Sequence, residues 1–263
     1  MTMTVQLVSE YRKLRTSRLW WLVLSAMVAV VAALTAMFAF GAVSAPGTNV
    51  DFTSAASVGV LYNLTAALGT VFPLALGVVC VTREHHHRTA TLTFLGQPHR
   101  GTVFWSKVTV CAGAAAVLGT VTLLACTAIV SGILTLNDQA AYLSSPDVVR
   151  RLVGAWVVVV LWAVIGVGLG AVVKNQVIAI AGILVFTQLV EPVLKVASTY
   201  SPFPGVSAFL PGGASDALAG GTVITMAMEL PAGGQLQGAL VLGAYAVILL
   251  VWGDRSTRRR DVL

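Results

Sequence analysis

The chain has 263 residues, of which 57% are hydrophobic and 10% are charged. This composition is typical of a protein whose solvent is mostly lipid, and it excludes a sizeable soluble domain because about six membrane spans fill the length. The net charge is +6, but the basic residues cluster beside apolar segments, which indicates membrane topology rather than nucleic-acid binding. We therefore expect an all-α integral membrane protein, a single domain over residues 1–263, without a nucleic-acid partner.

Residues 1–18 predict an amphipathic helix at the membrane interface. Val5, Val8 and Tyr11 recur at helical spacing, whereas the charged residues occupy other faces. The uncharged residues 19–43 follow directly. Their end resembles a signal-peptide cleavage site, but the apolar segment is too long for a signal peptide. We interpret it as the first membrane span.

Further apolar segments predict five more spans, at residues 56–82, 108–136, 152–173, 177–190 and 236–253. Pro73 predicts a kink in the second span. Glycines close the fourth span at positions 166, 168 and 170, and they favour close helix packing over nucleotide binding because no strand precedes them. All three cysteines lie in apolar segments and are interpreted as packing residues.

The distribution of positive charge predicts the topology. With six spans, 13 of the 16 lysines and arginines fall on the side that carries both termini. Loops rich in lysine and arginine stay in the cytoplasm, so we expect both termini to be cytoplasmic.

Residues 83–107 form a polar segment between the second and third spans. Both neighbouring apolar segments exceed the roughly 20 residues that cross a bilayer, so this segment lies on one membrane face. It contains four basic residues and one acid, Glu84, which favours the cytoplasmic face. We expect the main cytoplasmic interactions of the protein to occur here.

The fifth apolar segment is short, because residues 177–190 are followed by Glu191 and Pro192. As a helix it would reach about 21 Å, less than the roughly 30 Å hydrocarbon core. We therefore predict a broken fifth helix and, at residues 191–237, a re-entrant segment on the outer side. Lys195 is the expected partner of Glu191. The Glu191-Pro192 pair is a candidate outer gate, and the alternative is a structural anchor that ends the helix.

The order of these features resembles the permease subunit of bacterial type 2 ATP-binding-cassette exporters (the ABC-2 type permease family). The likeness covers nearly the whole chain and includes the segments VSEYRKLRTSRLWW and TREHHHRTATLTFLGQPHRGTVFWSK. It implies that residues 83–107 form a coupling helix that docks on a separate ATPase subunit. The residues that match the family pattern are Glu84, His85, His86, His87, Arg88, Pro98 and Arg100, with Lys107 leading into the third span; the histidine triplet departs from the pattern in detail.

The resemblance also implies a bacterial plasma membrane location and a pathway formed with a second permease copy, identical or related. ATP and Mg²⁺ would then belong to the ATPase. The sequence itself is consistent with a separate nucleotide-binding subunit. Its segment from Gly96 to Gly101 has P-loop glycine spacing but no lysine after the second glycine. We expect no cofactor, metal or catalytic residue in this chain.

Two alternatives belong to other classes of protein. A self-powered secondary transporter would need ionisable residues within its spans, for which Glu191 is the one candidate. A metal-dependent membrane enzyme could use His85, His86, His87 and His99, but no HExxH motif or carboxylate cluster completes such a site. Lipids, hydrophobic drugs and amphipathic peptides all fit as cargo of an exporter.

Overall fold

The structure, a computed structural model, describes residues 3–44, 53–86, 100–173, 175–199, 206–222 and 233–259. The regular elements in these ranges are helices. Six helical runs in the described chain are long and apolar enough to cross a membrane, which confirms the predicted fold class. The runs are Arg18–Ser44, Ala55–Arg83, Gly101–Leu136, Pro146–Val172, Gln176–Lys195 and Gln235–Arg258.

The N-terminal helix α1 spans Met3–Thr16, and the first span α2 covers Arg18–Ser44. Ser17 separates them, and its backbone and hydroxyl both donate to the carbonyl of Leu14. The predicted apolar side chains of α1, from Val5 to Tyr11, are exposed. The helix thus presents its apolar face outward, as an interface helix requires.

The second span consists of three helices, α3 (Ala55–Tyr62), α4 (Leu64–Leu68) and α5 (Val71–His86). The predicted kink at Pro73 is displaced, because the break between α4 and α5 lies at Gly69 and Thr70. Pro73 itself lies in the first turn of α5, where a helix needs no backbone donor.

The third and fourth spans are longer than predicted. Helix α6 covers Arg100–Leu136 and helix α7 covers Pro146–Val172. Both begin before the apolar segments do, because backbone hydrogen bonding rather than hydrophobicity decides where a helix starts, and α7 in addition has a favourable proline at its first position. Arg150 and Arg151 consequently lie within α7. Of the two, Arg150 forms an ion pair with Asp147, at 3.0 Å.

Helix α7 packs closely against α5 through glycines. A Cβ atom at Gly77 would collide with the backbone carbonyl of Ala163, and one at Gly166 would collide with that of Leu74. A Cβ atom at Gly168 would likewise lie 2.8 Å from the backbone of Leu249, in the last span. The predicted packing role of the glycines at the end of the fourth span is therefore confirmed.

The fifth span is irregular. Helix α8 (Gln176–Val185) passes through a π-helical turn (Phe186–Val190) into helix α9 (Glu191–Thr199). The prediction that the helix stops at Glu191-Pro192 is corrected, since 24 helical residues cover about 36 Å. Pro192 directly follows the π-helical turn, so the helix is irregular at the point where proline removes a backbone donor.

Two short helices follow, a 3₁₀ turn (Val206–Phe209) and α10 (Pro211–Ala219), before the last span α11 (Gln235–Arg259). Trp162 of α7 donates its indole N–H to the hydroxyl of Ser215 at 2.8 Å. The hydroxyl of Tyr245, in α11, donates to the carbonyl of Phe209 at 3.1 Å. These partners lie roughly 15 to 24 Å along their spans, so residues 206–219 reach the middle depth of the bundle.

Candidate functional site

The predicted coupling residues lie at or beyond the limits of the described helices. Outside the described residues are His87, Arg88 and Pro98. The backbone alone is described for the remaining ones, Glu84, His85 and His86 in the last turn of α5 and Arg100 at the start of α6. Their docking role stays a prediction.

Lys107, the last residue of the predicted coupling segment, is bound inside the protein. Its Nζ lies 2.6 Å from Oε2 of Glu10, and both side chains are 7% exposed. Lys13 binds Oε1 of the same carboxylate at 2.6 Å, and the amide of Gln6 donates to it at 3.4 Å. The carboxylate of Glu10 in α1 therefore binds two ammonium groups, that of Lys13 in the same helix and that of Lys107 in α6.

The sequence analysis missed this role of Glu10. The signal was that Glu10 is the only acid within the basic residues 1–18. Breaking a buried ion pair by removing one partner costs about 3–5 kcal/mol, because the other charge stays buried without compensation. The pair therefore fixes α1 to the start of α6. We call the end of the bundle that contains Glu10, Arg83 and Lys107 the basic end, and the opposite end the far end.

Glu191 is a buried acid at the middle depth of the bundle. Its side chain is 1% exposed, and Oε1 accepts a hydrogen bond from the backbone N–H of Gly212 at 2.9 Å. Oε2 is buried and has no hydrogen-bond partner among the described residues. A Cβ at position 212 would collide with this carboxylate. The first turn of α10 thus packs directly against the Glu191 carboxylate and donates a hydrogen bond to it.

The predicted partner of Glu191 is corrected. Lys195 forms its ion pair with Asp216 of α10 at 2.8 Å, and both side chains are mostly buried. Each of the two links, Glu191 to Gly212 and Lys195 to Asp216, joins residues 21 positions apart. One helical turn along α9 thus corresponds to one turn along α10, so the two helices run side by side in the same direction.

The other end of α10 is held by the second and fourth spans. The fully buried side-chain amide of Asn63 donates to the carbonyls of Ala219 and Gly221, both at 2.7 Å. Arg151 donates to the carbonyl of Gly220. Helix α10 is therefore attached by polar contacts at both ends: its first turn contacts α9, and its C-terminal end contacts Asn63 and Arg151 of the second and fourth spans.

The histidines of the metal-enzyme alternative are not described in their side chains. Within the described part of the chain, no group of three or more histidine, cysteine or acidic side chains could hold a metal ion. The described geometry thus adds no support to a metalloenzyme.

A family model described as ABC-2 family transporter protein matches residues 6–190. This chain belongs to the ABC-2 transporter family. The match runs from α1 to the π-helical turn, so it includes the polar segment 83–107 and ends just before Glu191. The chain is accordingly a multi-pass permease, a transport subunit rather than a catalytic one, in a family whose nucleotide is used by a partner ATPase. A search of curated proteins finds no match to this ABC-2 permease.

Proposed function

We propose that this permease is the membrane subunit of an ATP-driven exporter. It docks a separate ABC ATPase through residues 83–107, and a second permease copy, identical or related, completes the pathway. The basic end faces the cytoplasm of a bacterial cell and the far end faces outward, in line with the excess of lysine and arginine at the basic end. Lipids, hydrophobic drugs and amphipathic peptides all remain candidate cargo.

The observation that carries this proposal is the buried pair of Glu10 and Lys107. Residues 83–107 connect α5 to α6, and Lys107 ties the α6 side of this connection to α1. A force that the ATPase applies to the segment would therefore move α1 and α6 together. Since α6 is one continuous helix of 37 residues, about 55 Å long, the movement would reach the far end.

Between the middle of the bundle and its far end, we assign the exit gate to α9 and α10. The π-helical turn before Glu191 is a local irregularity of the kind that often marks functional sites in helices. Glu191 and Lys195 hold α9 against α10 and keep the exit closed, and Glu191 is the residue that releases the gate or contacts cargo.

The alternative role for Glu191 is a structural anchor. An anchor in a low-dielectric interior would be expected to satisfy both carboxylate oxygens. Oε2 lacks a partner among the described residues, and an incompletely satisfied acid of this kind favours a functional role.

The docking proposal is tested by co-purification. The tagged permease is co-expressed with the ABC ATPase proposed as its partner, and the ATPase recovered per permease is measured. Glu84→Lys and Arg100→Glu should each reduce recovery strongly, because losing a charged contact at such an interface costs about 2–5 kcal/mol. Arg150→Glu is the matched control, since it reverses an exposed charge at the far end and should change nothing. Normal recovery with both docking variants, at unchanged membrane yield, would contradict the proposal.

A further inference from the structure

A cavity of about 460 Å³ lies at the basic end, between α1, the start of α2, the end of α5 and the start of α6. Its volume falls in the range of about 300–1,000 Å³ that is typical of small-molecule sites. The position at the ends of the spans places it where lipid headgroups meet acyl chains. The docking and gating roles of the permease leave this cavity without an assigned purpose.

The polar part of the cavity wall is cationic. Three basic side chains, Lys13, Arg83 and Lys107, line it together with one acid, Glu10, so the wall carries a net charge of +2. Glu10 is already shared by both lysines. Arg83 is exposed and forms no ion pair with any other described residue. The wall therefore attracts an anion, and Arg83 offers a guanidinium fork that matches a phosphate.

The rest of the wall is mostly apolar. Beside the hydroxyl residues Thr16 and Ser17, it consists of Leu14, Leu19 and Val110 together with the thiols of Cys80 and Cys111. A soluble anion would gain nothing from the apolar side chains, whereas an acyl chain would bury its apolar surface against them. A cationic rim above an apolar wall matches an amphiphile with a negative headgroup.

We propose that this cavity binds one anionic phospholipid from the adjoining leaflet, with its headgroup phosphate at Arg83 and Lys13 and an acyl chain along Leu14, Leu19 and Val110. Basic pockets between spans on the cytoplasmic side bind such headgroups elsewhere. Glu10 orients the two lysines rather than contacting the lipid. The lipid would rest on the joint between α1 and α6, so its headgroup would stabilise the docked position of α1.

Occupancy of the cavity can be measured through Cys80, because this cysteine lines the cavity and is partly accessible to a thiol reagent. Replacing Cys111 and Cys126 by alanine leaves Cys80 as the only cysteine of the chain. The purified protein in neutral detergent is then treated with N-ethylmaleimide, and the rate of Cys80 modification is measured. Phosphatidylglycerol, phosphatidylcholine or glycerol 3-phosphate is added at increasing concentration.

Phosphatidylglycerol should slow the modification of Cys80 in a saturable manner, while the other two additions should not. Arg83→Gln should raise the concentration for half protection about fivefold, which corresponds to the loss of one arginine near an anionic headgroup. Arg18→Gln is the matched control, since Arg18 is exposed at the same end but does not line the cavity.

Four outcomes would overturn the proposal. Equal protection by phosphatidylcholine would show that the headgroup is not recognised. Protection by glycerol 3-phosphate would identify a site for a soluble phosphate ester instead of a lipid. Protection that is absent, or that survives Arg83→Gln unchanged, would show that the cavity is not an anionic lipid site. None of these results depends on the ATPase, so they are separable from a failure of the docking proposal.

Discussion

Replacing Glu10 by glutamine should release α1 from the start of α6. Glu10 and Lys107 are 2.6 Å apart, and at an effective dielectric constant of about 20 their attraction is about 6 kcal/mol before desolvation is subtracted. Removing one partner of a buried pair costs about 3–5 kcal/mol, because the buried ammonium loses the attraction of the Glu10 carboxylate. This corresponds to a shift of more than about 100-fold in the docking equilibrium of α1.

Hydrogen exchange of the α1 amides in the purified permease measures this equilibrium directly. Lys13→Gln is the matched control, because Lys13 is 46% exposed and its contact with Glu10 should contribute about 1 kcal/mol or less. Exchanging the charges, with Glu10→Lys and Lys107→Glu combined, should restore part of the protection. Equal exchange rates in Glu10→Gln and Lys13→Gln would refute the reasoning that burial makes the Lys107 pair the dominant link.

Three further predictions concern the gate, the core and the topology. Glu191→Gln removes the charge but keeps the volume and the acceptor for Gly212. It should therefore alter cargo-stimulated ATP hydrolysis in the reconstituted complex while the thermal stability stays nearly unchanged. If hydrolysis and thermal stability were lost together, Glu191 would be a structural anchor. Gly166→Leu should lower the thermal stability by at least 2 °C, about 1 kcal/mol, because its side chain would collide with α5, and a normal melting temperature would contradict this packing. In a cysteine-free background, a cysteine at Asp138 should react with an impermeant thiol reagent in whole cells and one at Ser256 should not, and the reverse labelling would invert the topology.

Hydropathy was sufficient to predict the class and number of the spans, because about 20 apolar residues in a row have few alternatives to crossing a membrane. The helix ends were less predictable. Helix α6 begins at Arg100 and α11 continues to Arg259, since hydrogen bonding extends helices into polar sequence where hydropathy gives no signal. The fifth helix passes Pro192 by way of a π-helical turn, an irregularity that hydropathy does not signal.

The polar contacts of the candidate site depended on tertiary structure. Glu10 and Lys107 are 97 residues apart, so no local pattern could pair them. The spacing of Glu191 and Lys195 predicted an ion pair within one helix, but Lys195 forms its ion pair with Asp216 of α10 instead. The depth of Glu191 followed only from the placement of α10 beside it, whereas the sequence left it at the end of a span.

Site-specific crosslinking between the permease and its ATPase tests the central claim most directly. A photoreactive amino acid is placed at His87, within residues 83–107, or at Gln139, in the loop at the far end, and the co-expressed complex is irradiated in intact membranes. The claim predicts a covalent product with the ATPase from position 87 and none from position 139. No product from position 87, with one formed from another part of the chain instead, would contradict docking through this segment.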